Sequence, residues 1–425
     1  MKALSQNNVI HLVFLELVSI TPILIILGNI VPPFPIKIHH IGLGLIFLIM
    51  CFALIADAYK KWIIYVAIGY TLIQFTFEHW YLKGLIDYFF GPFALLLLID
   101  ILVNKKLPIA TLKKYEKRFY RLLWVPVIIA VLQYFTLIPI TFWNATYINY
   151  AYFGEIAIPR PNGFLYHGSE LSVIICFIAL FQFFKKEKQA ITLLIALVLI
   201  SVMTYFKALL GCTVLLLIYY VAFVNKGILS QIKLISRKRI ILVSVVLIGV
   251  ISVVAFRFFT ELRAYSGYYF PPAMLTGRGA IWNIYLERIK EFSVWNYLFG
   301  NGMGSSFDIF ADYATADTWY KLAIDPKADT DYDSHNAILS IFINSGLVGI
   351  AFIVYLFKIV FTQIKNWLPS SKWNKTVFFG IFILPLITIG ITIPIYENAI
   401  FWICLGFLFY RWKFYTMQLF NANNP

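Results

Sequence analysis

Charged side chains are scarce in this sequence: Asp, Glu, Lys and Arg make up 13% of its 425 residues, against roughly 25% in ordinary soluble domains. That scarcity excludes a water-soluble body, because 61% of the residues are hydrophobic and 18% are aromatic, more apolar side chain than one soluble core buries. Cysteine is nearly absent as well. The four, Cys51, Cys176, Cys212 and Cys404, all fall inside apolar runs, at spacings that suit neither a disulfide framework nor a zinc cluster, so they read as packing residues. The first apolar run, Val9 to Val31, follows a single charged residue, Lys2, and lacks a small-residue cleavage site. It reads as a retained helix and not as a removed signal peptide.

What the sequence has in abundance is apolar runs of about 20 residues, each long enough to cross a ~30 Å hydrocarbon layer as a helix. They fall at 9–31, 40–57, 62–77, 84–103, 122–142, 168–184, 189–206, 208–224, 240–256, 335–357, 376–396 and 398–410. The expected fold class is therefore an all-α polytopic membrane protein with about 12 transmembrane helices and one large loop before helix 10. Residues 1–256 carry nine of these helices and a smaller outer loop at 143–167. Residues 257–334 form the large loop, and 335–425 hold the last three helices.

Basic residues outnumber acidic ones, 35 to 20, for a net charge of +15. With the N-terminus inside, 24 of the 35 fall on inner segments: Lys2, Lys60–Lys61, Lys105 to Arg121, Lys185–Lys188, Lys226 to Arg239, Lys358 to Lys375 and Arg411–Lys413. The remaining 11 are Lys37, Lys83, Arg160, Lys207 and seven between Arg257 and Lys327. That split obeys the positive-inside rule, so topology and membrane lipids account for the charge, and no nucleic acid partner is called for.

A loop of 78 residues, Arg257 to Ser334, with ten acids and seven bases, exceeds what a turn requires and reads as functional. Within it, Ile281, Trp282, Tyr285, Leu286, Ile289 and Phe292 recur at helical spacing, giving a helix that lies on the membrane surface or against the bundle. Thr276-Gly277-Arg278-Gly279 opens that helix. Thr276 suits a cap, Gly277 lets a ligand approach the backbone, and Arg278 sits beside unpaired N–H groups, a combination that receives anions. The plainer reading is a capped surface helix whose Arg278 pairs with a loop acid. Arg160-Pro161-Asn162-Gly163 precedes the sixth helix, where Arg160 reads either as an interfacial anchor or as an anion ligand. Lys207 interrupts a long apolar run at the turn between helices seven and eight, and a charge there needs water or an anion.

Asp329, Asp331 and Asp333 resemble the start of a calcium loop, but Ser334 and Ser340 stand where an EF-hand needs glycine and glutamate, so that site is excluded. His335-Asn336 then begins the tenth helix. The local reading is a helix capped by Ser334 with a structural His335; the chemical one is an imidazole of near-neutral pKa acting as a general base.

Thr276-Gly277-Arg278 with Trp282, then Leu298-Phe299-Gly300-Asn301-Gly302-Met303-Gly304, then His335-Asn336 leading to Gly346 and Gly349, resemble in residues and in order the O-antigen polymerase and ligase superfamily of bacterial envelope glycosyltransferases. The resemblance implies a glycosyltransferase C-type membrane fold and an undecaprenyl-diphosphate-linked oligosaccharide as donor. It implies metal-independent, inverting transfer at the periplasmic face of the inner membrane, with no cofactor and with a chain-length regulator protein as a partner. It places Arg278 and His335 in catalysis, with Asp333 as a neighbouring carboxylate able to serve as base. Arg160, Lys207, Gly277 and Asn336 fall on the substrate. Many members have a Ser-Arg pair where this chain has Phe206-Lys207; lysine keeps the charge and loses the bidentate fork.

Within the superfamily, a polymerase joins repeat units to each other, a ligase moves the glycan to lipid A core, and a third type moves it to protein. The aromatic-rich body and the lack of an added soluble domain favour the polymerase, by analogy with the family. The competing class is a transporter or lipid-linked glycan flippase. Transporters show repeated halves and charges near mid-membrane, whereas here the distinctive polar residues cluster at one face and Glu16 is the one acid well inside an expected helix.

Overall fold

The computed structural model describes residues 6–30, 38–56, 60–77, 82–103, 107–140, 150–153, 156–165, 168–184, 187–221, 278–303, 305, 336–365 and 398–423. The helices expected at 240–256 and 376–396, and most of the 257–334 loop, lie outside these residues. The described chain is mostly helical. Its helices are α1 Gln6–Ile30, α2 Ile38–Ala56, α3 Lys61–Gln74, α4 Leu82–Val103, α5 Ile109–Tyr134, α6 Gly168–Phe181, α7 Glu187–Met203 and α8 Lys207–Tyr219. They continue with α9 Arg278–Lys290, α10 Val294–Phe299, α11 Ala337–Lys365 and α12 Ala399–Asn423. Among the described residues one hairpin departs from the expected all-α class: β1 Tyr150–Phe153 pairs antiparallel with β2 Ile156–Pro159, Tyr150 opposite Pro159 and Phe153 opposite Ile156.

Among the described residues, three helices are long and apolar enough to cross a membrane, at Val9–Gly28, Gly84–Leu102 and Ala337–Thr362. Shorter apolar helices lie at Ile41–Ile55, Glu170–Phe184, Lys188–Met203 and Leu209–Tyr219. Together they are compatible with a multi-pass membrane protein. The surface fits that setting: large apolar side chains such as Tyr65, Ile68 and Leu72 on α3 and Val354 on α11 point outward, where lipid and not water is the natural neighbour.

The core centres on α4, which is apolar on all sides between Asp87 and Asp100 and buried along nearly all its length, as a helix enclosed by others must be. It packs on α2, α11 and α12. Gly91 makes the α12 contact feasible, because a Cβ there would lie 1.9 Å from Cδ1 of the Trp402 indole; small residues let membrane helices approach closely. The cysteines are free. Cys176, Cys212 and Cys404 are buried, and the Cys176 and Cys212 sulfurs share a hydrogen bond at 3.3 Å.

Ion pairs link the helices of the bundle. Lys60 Nζ meets Asp100 at 3.0 Å with both side chains almost fully buried, Arg118 pairs with Glu16, and Tyr115 donates to Glu16 at 3.0 Å. Arg411 reaches Glu116 at 3.2 Å, and Lys413 donates to the Leu102 carbonyl in the last turn of α4. Burial pushes the Glu116 carboxyl up, and Arg411 opposes that shift. The expected loop Lys105 to Arg121 is therefore corrected. From Ile109 on it is helical, because Leu112, Tyr115, Phe119 and Leu123 form a buried stripe while the basic residues occupy the other faces. The last helices likewise run past the expected limits at 357 and 410, to Lys365 and Asn423.

Candidate functional site

Two structural units hold the described candidate residues. The first is built by Gln133, a buried amide one residue before the end of α5. Its Oε1 accepts from the backbone N–H of Asn162 and Gly163 at 3.0 and 2.9 Å, while its Nε2 donates to the Pro139 and Ile140 carbonyls, both at 3.2 Å. Asn162 closes the turn by accepting from the Phe164 N–H at 3.0 Å. With those backbone groups satisfied, the segment after β2 can fold into the bundle, and Pro161 to Leu165 are buried. Gly163 has φ +68°, and a Cβ there would sit 2.3 Å from the Pro126 carbonyl oxygen; only glycine fits that approach.

This turn holds Arg160 half-buried, its guanidinium 5.1 Å from the centre of the Phe206 ring, a cation–π distance. Phe206 is the extended residue just before α8, and Lys207 opens that helix. The fold thus brings Arg160 to the Phe206–Lys207 turn, from 160 to 207 along the chain. The Tyr205 ring lies 6.0 Å from that of Tyr134. An arginine beside the N-terminus of α8, which presents unpaired N–H groups, favours an anion there.

The second unit joins α9, α10 and α11. The amphipathic run packs against the bundle: Ile281, Trp282, Ile284, Tyr285 and Phe292 bury against Ile343, Leu339 and Phe342 of α11. Its exposed side carries the pairs Arg288–Glu291 at 2.8 Å and Lys290–Glu287 at 2.9 Å. Ser293 and Asn296 then form a reciprocal capping box that starts α10.

Gly300 ends α10 at φ +83°, and α11 is broken at Gly346, φ +62° and ψ −164°. The two glycines interlock. A Cβ on Gly300 would lie 2.5 Å from the Asn344 carbonyl carbon, and one on Gly346 would lie 2.5 Å from Gly300 N and from the Leu298 carbonyl. Breaking a helix frees carbonyls that must find donors where water is excluded. The Ile343 carbonyl accepts from Asn301 N–H at 2.7 Å, Ser345 from the Tyr70 hydroxyl at 2.8 Å, and Gly349 from the Tyr88 hydroxyl at 2.6 Å. Gln74 at the end of α3 clamps the turn, donating to the Phe299 carbonyl at 3.0 Å and accepting from Met303 N–H at 3.0 Å. Asn283, Asn301, Ser305, Ser340, Asn344 and Ser345 make a buried polar seam around the break.

Asn336 caps α11, its Oδ1 accepting from Ile338 and Leu339 N–H at 3.0 and 3.1 Å; the cap is thus Asn336 where Ser334 was the local expectation. Arg278 is the first residue of α9. Its side chain, that of Lys207, and all of Gly277, Asp333 and His335 lie outside the described residues. No protein-family model matches the chain, and no curated protein matches it. Among the described residues no three His, Cys, Asp or Glu side chains gather as a metal site.

Sequence reasoning did not single out Gln74, Gln133, Tyr70 or Tyr88, which hold these turns in place. The two glutamines carried a usable signal, a lone amide near the end of an apolar helix. The tyrosines, two of 27, carried none.

Proposed function

We propose that the chain is an O-antigen polymerase, a membrane glycosyltransferase of C-type fold with about 12 transmembrane helices, working at the periplasmic face of a bacterial inner membrane. The donor is an undecaprenyl-diphosphate-linked glycan and the acceptor a second lipid-linked repeat unit. The observation that carries the reading is the interlocking of the Leu298-to-Met303 motif with the helix that His335-Asn336 precedes, around the break at Gly346. These are two of the three motifs on which the family resemblance rests. Of the third, Thr276-Gly277-Arg278, Arg278 is the first residue of the helix packed beside them.

In this mechanism an acceptor hydroxyl loses its proton to His335, or to Asp333, and its oxygen attacks the anomeric carbon of the donor. The bond from that carbon to the diphosphate oxygen breaks with inversion, and undecaprenyl diphosphate departs carrying the bonding pair. Negative charge builds on the departing oxygen, so cations placed there in advance stabilise the transition state more than the ground state. At an effective dielectric of ~20, one cation about 4 Å away contributes a few kcal/mol, and each ~1.4 kcal/mol is tenfold in rate. Arg278, with Arg160 and Lys207, fills that role, Gly277 gives the diphosphate access to backbone N–H groups, and Asn336 orients the start of α11.

The purified protein in lipid nanodiscs, given a lipid-linked repeat, is expected to release undecaprenyl diphosphate while lengthening the glycan, and to go on doing so in EDTA. A flippase would release none. Transfer to lipid A core in place of repeat-to-repeat extension would make the protein a ligase. Loss of turnover in EDTA with recovery on adding a divalent ion would bring Asp329, Asp331 and Asp333 into the site.

The accompanying topology has its own check. A cysteine introduced between Trp319 and Asp329 is expected to react with an impermeant reagent from outside the cell, and one between Lys105 and Lys117 to be protected. Labelling of both from one side would overturn the orientation.

A further inference from the structure

We infer that α10 lies at membrane depth, with Val294, Trp295, Tyr297 and Leu298 covered by lipid acyl chains of the leaflet remote from the Lys60–Asp100 pair. The inference rests on the chain spanning a membrane and not on the polymerase assignment. Three observations support it.

The first is composition against exposure. Val294 is 78% exposed and Trp295 49%, with Tyr297 and Leu298 above a third, so a six-residue helix turns almost every large apolar side chain it has away from the protein. Its polar groups are already used: Ser293 and Asn296 cap each other, and the Tyr297 hydroxyl donates to the Ile289 carbonyl at 3.1 Å. Nothing on that face asks for water.

The second is depth. Lys60 and Asp100 mark one end of α3 and α4. From there α3 rises for 14 residues, about 21 Å at 1.5 Å per residue, to Gln74, which grips the Phe299 carbonyl at the end of α10. The end of α10 thus stands about 21 Å above the ion pair. Even if α10 continued straight upward, its six residues would add only about 9 Å, so all of it falls within a hydrocarbon layer of ~30 Å. The first third of α11, from Ala337 to the break at Gly346, lies beside it, and Ile338 there is also exposed.

The third is the contrast with α9. Immediately before α10, the exposed residues are the ion pairs Arg288–Glu291 and Lys290–Glu287, which belong in water. The change from charge to Val294 and Trp295 within a few residues marks the water–lipid boundary, where tryptophan and tyrosine concentrate. Segment 291–303 then enters the bilayer as a short re-entrant element that completes the span α3 leaves unfinished, its non-helical turn sheltered by Gln74 and α11.

The test is collision accessibility of a nitroxide in reconstituted liposomes, with Cys51→Ala to remove the one native thiol that is not buried. Sites are Val294→Cys and, as a second report should that variant misfold, Leu298→Cys. Tyr65→Cys is the lipid reference, from a 66% exposed residue of α3, and Lys290→Cys the water reference. Labels at 294 and 298 are expected to match 65, with high oxygen and low nickel-chelate accessibility, and to oppose 290 several-fold in that ratio. Nickel access at 294 and 298 equal to that at 290 overturns the inference, as does exclusion of both probes, which would mean that protein covers the face. Nickel access at 65 as well would instead remove the membrane reading itself.

Discussion

Cells that assemble the cognate repeat unit and carry His335→Ala are expected to make lipid A core capped with single repeats and no long chains, at normal protein abundance. Removing a general base costs on the order of 10²- to 10⁴-fold in the chemical step, enough to leave extension undetectable while donor binding persists. Arg278→Lys should fail differently. It keeps a positive charge and loses the planar fork that grips two phosphate oxygens at once, so positioning suffers and polymer output should fall at least about tenfold, a loss of ~1.4 kcal/mol. The lipopolysaccharide ladder on a gel reads both. A ligase altered in the same way would lose every capped form, single repeats included, because no other enzyme would attach them. Wild-type ladders from both variants, normally expressed, would remove the 257–334 loop from the active site.

The membrane character was legible because it rests on the coarsest signal a sequence carries, twenty-residue apolar runs, and α1, α2 and α4 fall close to where those runs lie. The start of α5 was less plain. Seven cations between Lys105 and Arg121 read as a loop, although Leu112, Tyr115 and Phe119 already carried the helical period that buries them. The motif residues were visible as residues, but their arrangement was not. Gly346 looks like any glycine in an apolar helix until Gly300 and Leu298 arrive against it, and that contact is non-local. The same holds for Arg160. Its partner ring, Phe206, is one of 40 phenylalanines, and only the fold of the Gln133-held turn selects it.

Gly346→Ala and Gly300→Ala should each deplete the folded protein, far more than alanine does at helical glycines with open space around them, such as Gly69 and Gly211. At Gly346 the backbone sits at φ +62° and ψ −164°, a region open essentially to glycine and costing other residues about 1–3 kcal/mol. The added methyl would also lie 2.5 Å from Gly300 N and the Leu298 carbonyl. Those are main-chain atoms fixed by the Asn301-to-Ile343 and Gln74-to-Phe299 hydrogen bonds, so they have no rotamer by which to yield, and such overpacking adds roughly another 1–3 kcal/mol. Gly300→Ala meets the mirror of the same obstacle at Asn344 and Ser345. A total of about 2–6 kcal/mol is comparable to the whole stability margin of many proteins. Gly69 and Gly211 are the controls, since a Cβ at either has no neighbour within 4 Å, and alanine inside a helix is favoured over glycine by about 1 kcal/mol. Fluorescence-detected gel filtration of detergent extracts, with a brief heat challenge, is expected to show the monodisperse peak preserved for the two controls and largely lost for Gly346→Ala and Gly300→Ala. If all four behaved alike, α11 would be unbroken at Gly346 in the folded protein, and the re-entrant turn of Gly300 to Met303 would have no seat.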